Sequence, residues 1–147
     1  MRIYGDFIYL AMRSQRHQGI SIAGFREAFE MVIALGQFRV FRFDEVPRGL
    51  FTWAWLSPEA EKKYVSGEPL GPDDWNSGER LWLIDMIAPY KGLTTAMVRW
   101  IMIPGNFAEK EFIFRRVSGK NNTRKIVHID FERPSGKALI LKNEDFL

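Results

Sequence analysis

The chain has 147 residues, 46% of them hydrophobic and 27% charged. That balance excludes a disordered, collagenous or membrane-embedded protein, and at roughly 150 residues per domain it predicts a single domain over 1–147. With no cysteine and two histidines, disulfide scaffolds, thiolate nucleophiles, thiolate zinc sites and His-rich metal centres drop out. No metal is expected, and no bound cofactor either. Lys and Arg number 21 against 18 Asp and Glu, a net +3 with a pI near 9.3. This mild excess suits an acidic partner and falls short of a nucleic-acid footprint.

Met1 to Asp6 carries an acid where a signal peptide needs apolar residues. No run approaches the roughly 20 apolar residues that span a bilayer. The expectation is a cytoplasmic protein without stable membrane insertion.

Ile3, Phe7, Leu10 and Ala11 stand at helical spacing and predict a first short helix. The polar stretch Arg13 to Gly19 ends it. A second helix follows, capped by Ser21, striped by Phe25, Phe29, Val32 and Ile33, and closed by Gly36. Phe38 to Phe43 reads as a strand, Asp44 to Gly49 as a turn, and Leu50 to Leu56 as the hairpin partner. Ser57-Pro58-Glu59 starts a helix that runs to about Ser66, with Gly67 ending it. Residues 67–78 form a long loop, a length that often carries function. Glu79 to Ala88 reads as a central strand, Pro89 to Gly92 as a turn, and Leu93 to about Ile103 as a helix broken by Pro104-Gly105. Three strands close the chain, at Phe112–Val117, Lys125–Phe131 and Ala138–Leu141, with turns at Ser118–Asn122 and Pro134–Gly136. Helices first, then a mostly antiparallel sheet with one helix after a central strand, make a mixed α/β pattern.

Asp85 is the most suspicious acid. Alternation through Leu81-Trp82-Leu83-Ile84-Asp85-Met86-Ile87 places it on the face of Leu81, Leu83 and Ile87, where a carboxylate is costly unless paired. A structural ion pair, to Arg80 or another strand, and a functional site both satisfy that demand. His17 lies in the polar junction between the first two helices, beside Arg16 and Gln18. A neighbouring cation favours the neutral imidazole, the form that accepts a proton; the plain alternative is an exposed loop histidine. His128 alternates with Ile126 and Asp130 and reads as a sheet-face residue. His17 and Asp85, with Ser14 one helical turn before the histidine, form the one His–carboxylate set suited to nucleophilic or general-base chemistry. No Gly-x-Ser-x-Gly elbow, metalloprotease helix, P-loop or dinucleotide fingerprint occurs. The segment Ala88-Pro89-Tyr90-Lys91-Gly92 is too glycine-poor for a pyrophosphate cradle. Arg115-Arg116 and Lys120 to Lys125, near Phe112 and Phe114, form basic stretches diluted by Glu109, Glu111 and Asp130; as a noncatalytic binding module they would hold nucleic acid or protein.

The stretch Asp73-Asp74-Trp75-Asn76-Ser77-Gly78-Glu79-Arg80-Leu81-Trp82-Leu83-Ile84-Asp85-Met86-Ile87-Ala88-Pro89-Tyr90 resembles the signature of the RTX toxin-activating lysine acyltransferases, the hemolysin-activating protein C type. They share a Trp-x-Ser-Gly-acid-Arg block, an aromatic-Ile-Asp strand and an Ala-Pro-aromatic turn. Trp53-Ala54, Leu56-Ser57, Lys63-Tyr64 and Ser14-x-x-His17 extend the resemblance over about residues 7–132. Between Ser14 and His17 stand Gln15 and Arg16, where relatives commonly carry a proline.

The resemblance implies a fold similar to the Gcn5-related N-acetyltransferases, with a mostly antiparallel central sheet flanked by helices. It implies His17 as the catalytic histidine, Asp85 as the catalytic aspartate and Ser14 as the serine beside them. It further implies a fatty acyl group taken from acyl carrier protein as co-substrate, internal lysines of a protoxin as acceptor, and a homodimer. An acyltransferase of related fold with another amine acceptor is the enzymatic alternative.

Overall fold

The computed structural model describes residues 2–118 and 121–147. Gly119 and Lys120, part of the expected turn Ser118–Asn122 and of the basic stretch Lys120–Lys125, lie outside the described residues, as does Met1. The elements run α1 Arg2–Ala11, α2 Ile22–Leu35, β1 Phe38–Phe43, β2 Val46–Leu56, α3 Pro58–Val65, β3 Arg80–Ile87, α4 Leu93–Ile101, β4 Glu111–Ser118, β5 Asn122–Asp130, β6 Ala138–Leu141 and a 3-10 turn η1 Asn143–Phe146. The six strands are hydrogen-bonded in the order β1 to β6. β1–β2, β4–β5 and β5–β6 pair antiparallel, and β3–β4 pair parallel across the α4 connection that a parallel pair requires. This mixed α/β architecture, four helices with a mostly antiparallel open sheet, is consistent with the acetyltransferase-like fold the resemblance implies.

Two compact units can be described, Met1–Trp53 with Asp85–Met102, and Ala54–Ile84 with Ile103–Leu147. In the first, α1 buries Phe7, Leu10 and Ala11 as its spacing predicts. The Phe7 ring meets Phe29 and Phe38 edge-on at 5.2 and 5.4 Å, the geometry aromatic quadrupoles favour. Asp6 is buried as well, which no apolar pattern foretells; the Arg42 guanidinium pairs with it and removes the penalty of a lone charge. α2 is capped as expected. Ser21 Oγ accepts the Gly24 N–H at 2.9 Å, and Gly36 takes the left-handed conformation at φ 69° that ends the helix.

The expected turn at Asp44–Gly49 shrinks to Asp44 and Glu45, whose φ angles of 49° and 69° form a two-residue hairpin turn matched to strand twist. Val46 to Gly49 therefore belong to β2. Pro47 is tolerated there because it faces Arg42 where the ladder shifts register next to Phe41. Gly49 is needed for close approach: a Cβ would meet Met97 Sδ at 2.8 Å and the Ile87 carbonyl at 3.0 Å. α4 starts from Gly92 at φ 81° and ends at Ile101, two residues before the expected end.

In the second unit, Ser57 Oγ caps α3 by accepting the Ala60 N–H, with Pro58 in the first turn. Trp82 is fully buried, edge-on to Tyr64 and Phe146 at 5.4 and 5.5 Å. Its indole N–H donates to Glu61 Oε2 at 2.8 Å, and Arg80 Nε donates to the same oxygen at 3.1 Å. η1, which carries Phe146, adds an element beyond those the sequence predicts. The segment between α3 and β3 is tightly tied. The Trp55 N–H donates to the Trp75 carbonyl at 3.1 Å, and the Ser77 N–H to the Trp55 carbonyl at 2.8 Å. Ser77 Oγ donates to the Asp74 carbonyl and accepts the Ser57 N–H. Asp74 takes Lys63 Nζ and the Gly71 N–H, both at 2.7 Å. At Gly78 a Cβ would fall 2.4 Å from the Leu56 carbonyl oxygen, so only glycine fits. The distinctive Asp74-Trp75-Asn76-Ser77-Gly78 block thus fastens a loop to the end of β2.

β5 begins at Asn122, three residues before the expected Lys125. Thr123 Oγ1 donates to the Val65 carbonyl and accepts Arg115 Nη1, which fixes the start of the strand. Among the described residues, no helix is long and apolar enough to cross a membrane.

Candidate active site

All groups of the site lie in the first unit. After α1 the chain makes successive tight turns: the Ser14 N–H donates to the Ala11 carbonyl, and the His17 and Gln18 N–H groups donate to the Ser14 carbonyl at 3.1 and 2.8 Å. These turns put the Ser14 hydroxyl under the His17 ring, with Oγ 2.6 Å from Nδ1. On the other side of the ring, Nε2 lies 2.7 Å from Asp85 Oδ2. His17 is buried at 6% exposure and Ser14 at 9%, whereas the Asp85 side chain is 21% exposed. Phe29 of α2 walls the ring at a centroid distance of 6.1 Å.

The second carboxylate oxygen is also engaged. Asp85 Oδ1 accepts the Met86 N–H at 2.8 Å and lies 3.5 Å from Arg16 Nη2. Arg16 Nη2 donates to the Met86 carbonyl at 2.6 Å. An ionised carboxylate only accepts, so the ring proton belongs on Nε2 and the lone pair of Nδ1 receives the Ser14 hydroxyl proton. The sequence Ser14 Oγ–H to Nδ1 and Nε2–H to Asp85 Oδ2 has the connectivity of a hydroxyl–imidazole–carboxylate relay. Such a relay can take a proton from a group presented to Ser14 and hold the resulting imidazolium against Asp85.

The structure therefore brings His17, with Ser14 behind it, onto Asp85 across a separation of 68 residues between His17 and Asp85, a proximity that spacing alone does not reveal. The expected exposed loop position for His17 gives way to burial, because Phe29 and the turn at Ser14 cover the ring. Arg80 does not partner Asp85; it donates to Glu61. His128 is half-buried on β5, held by Arg133 Nη2 at 2.7 Å from Nδ1 and 3.6 Å from Glu111. Of the basic stretches, Arg115 is turned inward. It donates to the Tyr64 carbonyl and Thr123 Oγ1 and stacks over the Tyr64 ring at 3.8 Å, which removes it from a phosphate-binding surface. Sequence reasoning missed the Met86 N–H and the anchoring of Arg16, since backbone donors and turn geometry leave no residue-type signal. Among the described residues, no group of three or more His, Cys, Asp or Glu side chains is placed to hold a metal ion.

Comparison with known proteins bears on this geometry. The model of the RTX toxin acyltransferase family matches residues 1–130. The RTX-III toxin-activating lysine-acyltransferase ApxIIC of Actinobacillus pleuropneumoniae is 34% identical over 126 residues, 85% of this chain and 71% of its own length. The protein-lysine myristoyltransferase HlyC of Escherichia coli is 30% identical over 127 residues, 86% of this chain and 71% of its own length. The protein-lysine palmitoyltransferase CyaC of Bordetella bronchiseptica is 34% identical over 87 residues, 58% of this chain and 47% of its own length. The chain spans about half the length of several of the relatives it matches. With the family model covering most of the chain and the fold agreeing with it, the chain belongs to the RTX toxin acyltransferase family.

Proposed function

We propose that this protein is a protein-lysine acyltransferase that moves a fatty acyl group from acyl carrier protein to internal lysines of an RTX-type protoxin. The observation that carries the reading is the Ser14–His17–Asp85 relay, with both imidazole nitrogens engaged at 2.6 and 2.7 Å. Family membership supports the reaction class, and the names of the relatives support lysine as the acceptor.

A lysine side chain, with an ordinary pKa of about 10.4, must first lose its ammonium proton to solvent so that a neutral amine with a lone pair attacks. In the proposed step the amine nitrogen forms a C–N bond to the thioester carbonyl carbon while the C–S bond breaks. Ser14 passes its hydroxyl proton to His17 Nδ1 as it takes one from the amine. Asp85 orients the ring through Nε2 and stabilises the imidazolium. The proton then leaves His17 by the same route to the departing thiolate, so amide and free thiol are the products. The net +3 charge favours approach of an acidic carrier protein. A cytoplasmic homodimer is part of the proposal.

The test incubates the protein with an RTX-type protoxin and, in parallel, acyl carrier protein or coenzyme A charged with the same fatty acid. Lysine acylation mapped by peptide mass spectrometry with the carrier-protein donor supports the reading. Acylation from coenzyme A alone, or on a small amine in preference to the protoxin, replaces it with the other acyltransferase of related fold.

A further inference from the structure

We infer that Arg16 is a positioning residue that holds the Asp85 carboxylate in register with His17, an inference that rests on the acyltransferase reading of this site. Arg16 belongs to the same tight junction as Ser14 and His17, and its Nη2 reaches β3 with a 2.6 Å hydrogen bond to the Met86 carbonyl. The same nitrogen stands 3.5 Å from Asp85 Oδ1. That oxygen also accepts the Met86 N–H at 2.8 Å. One guanidinium nitrogen thus reaches both the Met86 carbonyl and the Asp85 carboxylate, and it does so from the residue next to His17.

The consequence is geometric. A carboxylate on a strand end can rotate about its terminal torsion, which is broad and two-fold. With Oδ1 held by the Met86 N–H and the Arg16 guanidinium, rotation is blocked and Oδ2 stays 2.7 Å from His17 Nε2. Two hydrogen bonds from neighbouring residues of one turn, Arg16 to β3 and His17 to Asp85, also fix the whole turn against the strand. Its alternative job would be to contact an acidic carrier protein, since the Arg16 side chain is 62% exposed. The two jobs differ in what they change: a positioning residue acts on turnover, and a carrier contact acts on affinity for the donor.

The experiment compares Arg16→Met and Arg16→Lys with the unmodified protein. Steady-state acylation is measured against acyl carrier protein concentration, and nitrogen-15 spectra read the ring of His17. The chain has two histidines, so a His128→Gln background leaves one ring in view. For Arg16→Met, kcat falls about 10- to 100-fold, the penalty of a displacement approaching an ångström, while KM for the carrier protein changes less than about twofold. The His17 spectrum of that variant shows a smaller share of the Nε2–H tautomer, and Arg16→Lys recovers part of both losses. A rise in KM with kcat and spectrum unchanged overturns the inference in favour of a carrier contact. Unchanged kcat, KM and spectrum overturn it outright. His17→Ala separates the inference from its foundation: full activity in that variant, with a tautomer change still present in Arg16→Met, removes the catalytic reading and leaves Arg16 as the clamp on the pair.

Discussion

Asp85→Asn probes the relay with almost no change of shape. The Met86 N–H donates to Oδ1, so in the variant that position must be the amide oxygen, and the amide NH2 takes the place of Oδ2, 2.7 Å from His17 Nε2. Two donors cannot face each other there. The ring responds by moving its proton to Nδ1, which then points at Ser14 and can no longer accept the hydroxyl proton. A hydrogen bond to a charged partner is worth about 1.5–3 kcal/mol, and at 1.4 kcal/mol per factor of ten, about 2 kcal/mol depletes the productive tautomer about thirtyfold. Loss of the carboxylate beside the developing imidazolium costs a comparable amount in this half-buried setting, about 2 kcal/mol or another thirtyfold. The product is a fall of about 10³, and the same replacement in a serine-protease relay costs about 10⁴. Single-turnover acylation read by intact mass measures the fall, nitrogen-15 spectra of His17 report the tautomer, and circular dichroism verifies the fold. Activity within tenfold of the unmodified protein, or a ring still protonated on Nε2, refutes the reasoning.

Other perturbations test the scaffold that holds the relay. Gly49→Ala forces a Cβ against Met97 Sδ and the Ile87 carbonyl and should cost about 1–3 kcal/mol. Gly5→Ala adds a methyl to the open face of α1 and should stabilise by about 0.5–1 kcal/mol; opposite shifts in urea midpoint check the pair. Trp82→Phe removes the indole N–H from Glu61 and leaves a void in a fully buried position, for a loss of about 3 kcal/mol at unchanged denaturant slope. At Asp74, burial pushes the carboxyl up, but the Lys63 hydrogen bond, the Gly71 N–H and the Lys63 charge outweigh it and hold the carboxyl below its ordinary value. The stabilisation is therefore present above the unfolded pKa of about 3.9 and is lost as pH falls through the lower folded value. Asp74→Asn should thus be less stable near neutrality, by under about 1 kcal/mol because Lys63 is partly exposed, and the gap should close in acid; a gap that widens below pH 4 contradicts the assignment.

Much of this fold is legible because local rules and packing agree. Ser21, Gly36, Ser57 and Pro58 stand where helix ends need them, and Phe7, Leu10, Phe29 and Val32 occupy the buried stripes their spacing marks. The hairpin between β1 and β2 is less legible, since Pro47 and Gly49 are turn-forming residues used here for a register shift and a close approach. Asp6 and Glu61 are buried by partners 36 and 19 or more positions away, which no window of sequence displays. At the site, Asp85 is conspicuous because a carboxylate interrupts an apolar strand. His17 is not, because the polar residues around it disguise a buried position; its role rests on the resemblance until the fold sets it beside Asp85. Arg16 reads as a mere neighbour until its guanidinium is seen on the Met86 carbonyl.

The most direct measurement is the intact mass of an RTX-type protoxin after incubation with charged acyl carrier protein, with this protein or with its folded His17→Ala variant. The account predicts a mass increase of one or more acyl chains on lysine with the unmodified protein and none with the variant. Equal acylation by both would contradict it.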